Sequence, residues 1–250
     1  MHDARPVPSK RARIENFLLI IGAMKSGTTT LFHYLSQHPQ LCPSRRKEPN
    51  FFGNEERWSR GRKFYRQLWR NYDPSVHRYA FEASTHYTKN RTDLVARRIA
   101  ATKGNFSFIY ILRDPIDRIE SHISYNMAHG ADLGEEKALS PRFVGVSRYA
   151  DQIDKFRAAL GDPRMLLLDF EELARDPIVA VNRCVDFLGI DPFPFEYIGT
   201  KNKTTAVSSS ARFNVSDQQR EILKEELKPD VRRLRDVYGF DVSRWSVNPD

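Results

Sequence analysis

The sequence predicts an α/β fold with a mainly parallel central sheet flanked by helices. The uninterrupted apolar run at residues 17–21 is typical of a strand that is covered on both faces, and the largely apolar runs at residues 106–112 and Met165–Asp169 predict two further buried strands. Segments with apolar residues at helical spacing separate these runs along the chain. Strands that alternate with helices are joined by crossover connections, and these connections give parallel pairing.

Gly22 and Gly27 mark a sharp turn after the first apolar run, and three threonines at residues 28–30 open the helix that follows. In such a loop, the backbone N–H groups and the positive end of the helix point at one spot. That spot suits a phosphate or a sulfate group. The alternative is an ordinary strand-to-helix turn that is rich in small residues.

The next segments bring further side chains toward the sheet. Residues 42–53 contain two prolines and a charge run, which predict a loop with Glu48 at its centre. Residues 58–72 place aromatic residues at helical spacing, which favours a helix with one buried stripe. Interleaved aromatic and basic residues can also bind single-stranded nucleic acid. A strand at Tyr79–Ala83 brings His86 to the carboxyl end of the sheet, where open α/β sheets bind ligands.

Two helices flank the strand at residues 106–112. The first is predicted over residues 93–102. The second begins directly after the strand, because Asp114 is a good N-cap and Pro115 is a good first helical residue. Its apolar stripe continues until Gly130.

Residues 131–146 show no strong periodicity and are predicted to form a long loop. Such a loop beside a site is a candidate lid or acceptor-recognition segment. Helices are predicted to follow over residues 149–160 and 178–188, and each is closed by a glycine.

The C-terminal part contains a candidate flap and a last helix. Residues 200–212 are polar and basic and are predicted to be a mobile flap. Ser216 and Gln219 form a capping box for the last helix. We predict that this helix is interrupted before Pro229 and resumes to Tyr238.

The length of 250 residues predicts one domain at residues 16–250, preceded by a disordered basic tail at residues 1–15. Forty Lys and Arg residues against 32 Asp and Glu residues give a net charge of +8. This charge attracts polyanionic ligands, whether nucleic acid or a multiply phosphorylated cofactor.

The two cysteines, Cys42 and Cys184, indicate neither a metal site nor a disulfide framework. The N-terminus lacks the apolar core of a signal peptide, and the apolar runs are too short to cross a bilayer. We therefore expect a cytoplasmic protein without a membrane span. The sequence does not define an oligomeric state.

The position of Lys25 excludes the commonest phosphate loop. A Walker A loop has its lysine directly after the second glycine, whereas Lys25 precedes Gly27 and Thr28 follows it. The spacing therefore disfavours an ATP or GTP hydrolase, and it argues against the alternative of a nucleotide kinase.

Four motifs, in order between residues 17 and 190, resemble the superfamily of sulfotransferases that use 3'-phosphoadenosine-5'-phosphosulfate (PAPS). G-x-x-K-S-G-T-T resembles the 5'-phosphosulfate loop, and I-L-R-D-P-I-D-R-I-E-S resembles the 3'-phosphate motif. K-E-P-N-F-F is similar to the heparan sulfate type, which includes the N-deacetylase/N-sulfotransferases and 3-O-sulfotransferases. The closing pattern L-L-D-F-E-E-L-x-x-D-P with F-L-G-I is also similar to the superfamily. Together the four motifs resemble a bacterial-like soluble form of these enzymes.

This resemblance implies a P-loop-like sulfotransferase fold with PAPS as cofactor and 3'-phosphoadenosine 5'-phosphate (PAP) as product. Residues implied to hold the 5'-phosphosulfate are Lys25, Ser26, Gly27, Thr28, Thr29 and Thr30. Arg113 and Ser121 are implied to hold the 3'-phosphate. The residues implied to close over the cofactor are Lys201, Lys203 and Arg212.

Sulfuryl transfer needs a cation at the leaving phosphate and a base at the acceptor. Lys25 and the helix N-terminus can stabilise the growing negative charge. Glu48 matches the acidic residue proposed as base in the heparan sulfate branch, although a neighbouring cation such as Lys47 could simply neutralise it. His86 is the second candidate, since imidazole can accept a proton near neutral pH, unless it is a structural histidine. We predict no metal, because fixed cations suffice for a sulfuryl group.

The sequence departs from the heparan sulfate type on the acceptor side. Ala83 stands where the O-sulfotransferases typically carry a lysine, and the basic element that closes over the cofactor is reduced to residues 210–212. The acceptor is therefore predicted only as a hydroxyl or amine of a carbohydrate, a glycolipid or another small molecule. The non-enzymatic alternative is a basic nucleic-acid-binding module, but we expect no nucleic-acid partner.

Overall fold

A computed structural model describes residues 14–89, 91–131, 135–199 and 212–250. Within these residues, five parallel strands form one sheet in the order β2-β3-β1-β4-β5. This sheet confirms the predicted fold class. The strands are β1 (Asn16–Gly22), β2 (Leu41–Pro43), β3 (Tyr79–Ala83), β4 (Asn105–Leu112) and β5 (Met165–Asp169).

Helices connect the strands and follow the last one. They are α1 (Thr28–Leu35), α2 (Glu55–Ser59), α3 (Gly61–Arg66), α4 (Thr92–Ala100), α5 (Pro115–Ala128), α6 (Pro141–Ser147), α7 (Tyr149–Leu160), α8 (Phe170–Arg175), α9 (Pro177–Leu188) and α10 (Asp217–Tyr238). Short 3-10 turns lie at Gln67–Trp69, Thr85–Thr88 and Glu135–Leu139.

The sheet lies between two layers of helices. Helices α1, α8 and α9 pack on one face, and α3 to α7 with α10 pack on the other. In β1, Leu18 and Ile20 face the first layer, whereas Phe17, Leu19 and Ile21 face the second. Since both faces of β1 are buried, its sequence is an uninterrupted apolar run.

The chain order places the ends of three strands together. β2 and β3 lie on one side of β1, and β4 and β5 lie on the other. The loops that follow β3, β1 and β4 therefore meet at the carboxyl edge in the middle of the sheet. In open parallel sheets, the point where the strand order reverses is the usual ligand site.

The segment at residues 58–72 differs from the single helix that its aromatic spacing predicts. It forms the end of α2, then α3 and a 3-10 turn, because Gly61 has a left-handed conformation (φ 73°) that separates the two helices. Tyr65 and Trp69 nevertheless lie in the core, with only 1% and 3% of their surface exposed. They cannot serve as stacking platforms for nucleic acid.

The prediction of a loop over residues 131–146 is wrong from residue 135 onward, where a 3-10 turn and α6 lie. Arg118 of α5 donates hydrogen bonds to Ser147 Oγ and to the Phe143 carbonyl, each at 2.6 Å. These tertiary contacts stabilise a helix that is too short to show a periodicity in the sequence.

Helix α10 continues through Pro229, where the sequence predicted an interruption. Pro229 is exposed, whereas Leu227 and Val231 on the opposite side are fully buried. Packing of this apolar face offsets the backbone hydrogen bond that a proline cannot donate. The predicted capping box of Ser216 and Gln219 is confirmed.

The N-terminal boundary of the described fold lies at Ile14. Ile14 is buried, and the Glu15 carbonyl accepts a hydrogen bond of 2.8 Å from the Asn105 N–H. Residues 1–13 of the predicted tail and residues 200–211 of the predicted flap lie outside the described residues. Both cysteines are buried and free. Among the described helices, none has the length and hydropathy that a bilayer crossing requires.

Candidate active site

The loop at residues 23–27 joins β1 to α1 at the centre of the carboxyl edge. Gly27 precedes α1 in a left-handed conformation (φ 81°), which glycine adopts without steric cost. Because Gly27 is the N-cap residue, it offers no side chain to cap α1. The first N–H groups of this helix therefore have no intrahelical partner and can bind an anion.

Ser26 is the buried donor of this loop. Its N–H donates to the Ala23 carbonyl at 3.1 Å, but its Oγ has no hydrogen-bond partner among the described residues. Leaving a buried hydroxyl unbonded is unfavourable, and most such groups in proteins are bonded. The Ser26 hydroxyl is thus placed to bind an oxygen atom that the described residues do not supply.

Lys25 lies beside the same loop. Its Nζ atom is 4.3 Å from the centroid of the Tyr125 ring on α5, a cation–π contact. Burial and, to a smaller degree, the positive charge of Arg113 hold the pKa of Lys25 below its ordinary value. No carboxylate of the described residues forms an ion pair with Lys25. A bound anion would relieve the repulsion between these two cations.

Arg113 follows β4 directly and turns toward the loop. Its Nη1 atom donates to the Lys25 carbonyl at 3.3 Å, and its guanidinium group lies 4.7 Å from the Phe170 ring centroid. Asp117 is only a distant partner, with 3.9 Å between Nη2 and Oδ2. The Nε atom is buried and has no partner among the described residues. Arg113 therefore has a donor available for a second anion position.

The other predicted cofactor residues lie around these groups. Thr28 and Thr30 are buried in the first turn of α1, and Thr29 is half-buried. Ser121 is half-buried on α5, and no hydrogen bond joins it to Arg113 within the described part of the chain. The end of the flap lies near this helix, since the N–H of Phe213 donates to Ser124 Oγ at 3.0 Å.

Arg212 is the one flap residue of the predicted site that the structure describes. It is exposed and directly precedes Phe213, so it lies beside α5. Lys201 and Lys203 lie outside the described residues. Their predicted role as clasps over the cofactor stays a prediction.

Glu48 lies at the carboxyl end of β3, where its N–H donates to the Ala83 carbonyl at 2.8 Å. Its carboxylate accepts hydrogen bonds from the Thr85 N–H at 2.9 Å and from Lys47 Nζ at 2.8 Å. Burial alone raises the pKa of Glu48, but the contacts with His86, Lys47 and Thr85 outweigh it and leave the pKa below its ordinary value. Glu48 is therefore ionised and able to accept a proton.

His86 lies next to Glu48, so the structure brings both base candidates together. The distance from His86 Nδ1 to Glu48 Oε2 is 3.8 Å, and 51% of the His86 side chain is exposed. Lys47 pairs with Glu48 as the alternative interpretation predicted, but the carboxylate remains 34% exposed. The pair leaves part of Glu48 accessible to a ligand.

Several residues of the site were missed at the sequence level. They are Tyr125 under Lys25, Phe170 under Arg113, and Thr85 on Glu48. Two of them had a signal: Thr85 directly precedes His86 at the carboxyl end of β3, and Tyr125 lies one helical turn after Ser121 on the same face of α5. Phe170 comes from a segment that is distant in sequence from Arg113.

A cavity of about 520 Å³ lies elsewhere, between β5, α7 and the C-terminal segment, and none of the predicted site residues lines it. Its arginines are largely paired, as in the contacts of Arg183 with Glu172 and of Arg244 with Asp169. These pairs leave little charge for a ligand, so the chemistry at the carboxyl edge identifies the better candidate site.

The described residues contain no cluster of three or more His, Cys, Asp or Glu side chains that could hold a metal ion. The predicted absence of a metal from the reaction stays a prediction.

Comparisons with known proteins agree on one family. A family model described as "Sulfotransferase domain" matches residues 15–236. The bifunctional heparan sulfate N-deacetylase/N-sulfotransferase 1 of Homo sapiens is 27% identical over 205 residues, which are 73% of this chain and 23% of that protein. The chain thus spans about a quarter of the length of the curated relatives that it matches.

Solved structures give the same result for the fold. The sulfotransferase from Alicyclobacillus acidocaldarius is 26% identical, with a TM-score of 0.73, and the match covers 94% of this chain and 99% of that one. The sulfotransferase domain from the curacin biosynthetic pathway is 16% identical, with a TM-score of 0.59 and coverage of 92% and 99%. This second likeness concerns the fold alone.

Proposed function

The chain belongs to the family of sulfotransferase domains, and from this membership we propose that it transfers a sulfuryl group from PAPS to a hydroxyl or amine of an acceptor. The membership confirms the superfamily and enzyme class that the loop motifs predicted. The observation that carries the cofactor assignment is the pair of buried donors, Ser26 Oγ and Arg113 Nε, that lack partners among the described residues.

These two donors fit a ligand with two separated phosphate positions. Ser26 lies in the loop before the uncapped N-terminus of α1, which suits the 5'-phosphosulfate. Arg113 lies at the end of the neighbouring strand β4, and its planar group can make charge-assisted hydrogen bonds to the 3'-phosphate. Lys25 directly precedes Ser26, its carbonyl contacts Arg113, and its ammonium group forms no ion pair with a carboxylate of the described chain.

Residues of the loop would stabilise charge during the reaction. When bound, PAPS supplies an electrophilic sulfuryl group on a phosphate that becomes more negative as this group leaves. Lys25 Nζ and the N–H groups of α1 would hold that phosphate, and they are already oriented before the ligand binds. Tyr125 contacts the Lys25 ammonium group and keeps it at this position.

Glu48 would act as the general base for the acceptor. Its carboxylate is ionised and held by Thr85 and Lys47, while part of it remains exposed. A base in this state can take the proton from an attacking hydroxyl or amine. His86, 3.8 Å away, would assist by hydrogen bonding or would take this role itself.

The acceptor class is a carbohydrate, a glycolipid or another small molecule. The curated relative named above is a heparan sulfate enzyme by name, but this chain spans only about a quarter of it. Ala83, in place of the lysine typical of the O-sulfotransferases, changes the charge next to Glu48. Mass-spectrometric screening of an acceptor library for addition of a sulfuryl group from PAPS would identify the class.

Titration calorimetry with PAP tests the cofactor assignment. We expect PAP to bind the wild type, and Lys25→Ala and Arg113→Ala to weaken binding by tenfold or more, since each removes a charged contact. Lys63→Ala is the matched control, because Lys63 is an exposed cation on α3. Absence of PAP binding by the wild type contradicts the proposal. Magnesium-dependent ATP binding in its place would favour the kinase alternative.

A further inference from the structure

Glu82 is a carboxyl group that the proposed reaction does not use. It lies in β3, opposite Leu19 of β1, and none of its surface is exposed. Acidic residues are almost never fully buried unless they are paired. No cation of the described residues forms an ion pair with Glu82, so its burial requires another explanation.

Three hydroxyl groups surround the Glu82 carboxyl group. Tyr87 Oη donates to Oε1 at 2.8 Å, and Tyr65 Oη donates to the same atom at 3.2 Å. Ser84 Oγ donates to Oε2 at 2.6 Å. Both oxygen atoms of the carboxyl group are therefore bonded, which is the condition for burying a polar group in a core.

Two of these hydroxyl groups also contact the backbone of the loop that carries Glu48. Ser84 Oγ accepts a hydrogen bond from the Asn50 N–H at 2.9 Å. Tyr87 Oη accepts from the N–H groups of Phe51 and Phe52, at 3.1 and 3.4 Å. Tyr65 Oη makes no such contact with the described loop.

The direction of these hydrogen bonds follows from their chemistry. A backbone N–H group can only donate, so the Ser84 and Tyr87 oxygens must accept from the loop. Each hydroxyl then has a single hydrogen left, and Glu82 is the acceptor toward which it points. The Glu82 oxygens thus orient the two hydroxyl groups so that their lone pairs face the loop.

The loop needs such external support. Glu48 and Asn50 both have left-handed backbone conformations, with φ of 59° and 44°. Residues other than glycine rarely adopt this conformation and keep it only where surrounding contacts hold it. These contacts include the hydrogen bond of 2.8 Å from the Glu48 N–H to the Ala83 carbonyl and the contact of Asn50 with Ser84. Arg57 also donates to the carbonyls of Glu48 and Pro49.

We propose that Glu82 is a positioning residue, which orients Ser84 and Tyr87 so that they hold residues 50–52 and thereby fix the candidate base Glu48 at the active-site edge. The inference rests on the proposed function for the role of Glu48. Burial raises the pKa of Glu82 to about 7, although the hydrogen bonds from Ser84, Tyr87 and Tyr65 act in the opposite direction.

Hydrogen exchange of the full chain, followed by mass spectrometry, tests the anchoring. Glu82→Gln presents an amide donor to hydroxyl groups that already donate, and Tyr87→Phe removes the acceptor of Phe51 and Phe52. We expect both variants to raise exchange in peptides covering residues 49–53 at least tenfold. Exchange in β1 and α5 should stay unchanged.

Tyr65→Phe is the matched control. It removes one donor to Glu82 but keeps the ring that stacks on Phe51 at 4.5 Å between centroids. We expect little change in residues 49–53 for this variant. If Tyr65→Phe acts as strongly as Tyr87→Phe, or if Glu82→Gln leaves exchange unchanged, the proposal is overturned. Should Glu82→Gln fail to fold, Ser84→Ala tests the hydrogen bond to the Asn50 N–H, and unchanged exchange in residues 49–53 of that variant would overturn the proposal.

A second readout addresses the state of Glu48. Carbon-13 NMR of labelled glutamate, assigned with Glu48→Gln, follows the titration of the Glu48 carboxyl group. Releasing the loop should raise the pKa of Glu48 in Tyr87→Phe, because contacts with Thr85 and Lys47 weaken. A purely structural role of the network would leave this pKa unchanged and would contradict the proposal.

PAP binding separates the two proposals. In Glu82→Gln, Tyr87→Phe and Tyr65→Phe, we expect calorimetry to give the PAP affinity of the wild type, because the network lies outside the phosphate loop. If the wild type itself does not bind PAP, the proposed function fails. The exchange measurements would still decide whether Glu82 anchors the loop.

Discussion

The two halves of the active-site edge differ in whether their buried polar side chains have hydrogen-bond partners within the described chain. In the phosphate-loop half, formed by residues 23–30 and Arg113, Ser26 Oγ and Arg113 Nε have no partners in the described chain. In the base half, formed by residues 48–52 and Glu82, both carboxyl groups are bonded by several donors. Asn50 Oδ1 is the one buried side-chain atom of that half without a described partner.

The charges of the two halves show the same contrast. Lys25 and Arg113 are neighbouring cations, and burial together with this repulsion lowers the pKa of Lys25. In the base half, Lys47 and the Thr85 N–H compensate the charge of Glu48. The difference indicates that the first half is completed by an anionic ligand, whereas the second half is oriented before any ligand binds.

The largest expected effect concerns the base half. Glu48→Gln keeps the shape of the side chain but cannot accept the acceptor proton, so turnover should fall about a hundredfold or more, the usual scale of acid–base catalysis. Steady-state rates with PAPS and an acceptor from the library screen measure this change. PAP affinity should stay unchanged, because Glu48 lies outside the phosphate loop.

His86→Asn is the companion variant to Glu48→Gln. A smaller loss in His86→Asn than in Glu48→Gln supports Glu48 as the base. Unchanged turnover in Glu48→Gln would assign the role of base to His86. The hydrogen bonds that hold Glu48 would then not serve to orient a base.

The buried carboxyl group gives the next effect, on stability. Burial raises the pKa of Glu82 from 4.5 to about 7. Between these values the folded protein holds a proton that the unfolded chain has released, so this group stabilises the fold below pH 4.5 and the contribution is lost as the pH rises to about 7. The loss amounts to about 3 kcal/mol in the free energy of unfolding.

Urea unfolding of the wild type and Glu82→Gln from pH 4.5 to 8 measures this contribution. The difference in unfolding free energy should shift in favour of Glu82→Gln as the pH rises, by up to about 3 kcal/mol. A constant difference across this range would show that Glu82 does not titrate inside the fold.

Arg113→Lys tests the geometry of the phosphate-loop half. Lysine keeps the charge but loses the planar group and the Nε donor, so PAP affinity should fall roughly tenfold to a hundredfold. Arg66→Lys, on the exposed surface of α3, is the control. Equal calorimetric affinities of Arg113→Lys and the wild type would mean that charge alone accounts for the contact.

The smallest effects come from two serines, one in each half. Ser26→Ala removes a hydroxyl with no described partner, so the ligand-free protein should keep its unfolding free energy within about 0.5 kcal/mol. PAP affinity should fall about tenfold, the value of one hydrogen bond to a charged group.

Ser84→Ala should do the reverse. It leaves the Asn50 N–H without an acceptor, so the free energy of unfolding should fall by about 1–3 kcal/mol while PAP affinity stays the same. Urea unfolding and calorimetry on both variants give the comparison. A stability loss in Ser26→Ala as large as that in Ser84→Ala would contradict the distinction between the two halves.

Features that depend on local pattern were predictable from the sequence. The burial of β1 on both faces, the N-cap of Asp114 on α5 and the capping box of α10 involve residues within a few positions of one another. The proximity of Arg113 to the phosphate loop was also predictable, because parallel strands bring their carboxyl ends together. The position of Arg113 in the phosphate-loop half was therefore predictable from the sequence.

The base half was less predictable because its contacts come from distant segments. The burial of Glu82 depends on Tyr65 of α3 and on Tyr87 after β3, and a single carboxylate inside an apolar strand carries no pattern. The continuity of α10 through Pro229 depends in the same way on packing. Tertiary contacts overrode the local signal at each of these positions.

Hydrogen exchange of the wild type with and without PAP tests the contrast between the two halves most directly. We predict that PAP slows exchange in peptides covering residues 23–30 and 113–121, because the ligand binds their donors. Peptides covering residues 48–52 should exchange at the same rate in both states, because their hydrogen bonds are already formed. If PAP slows exchange in residues 48–52 but leaves the exchange rate of residues 23–30 unchanged, the account is contradicted.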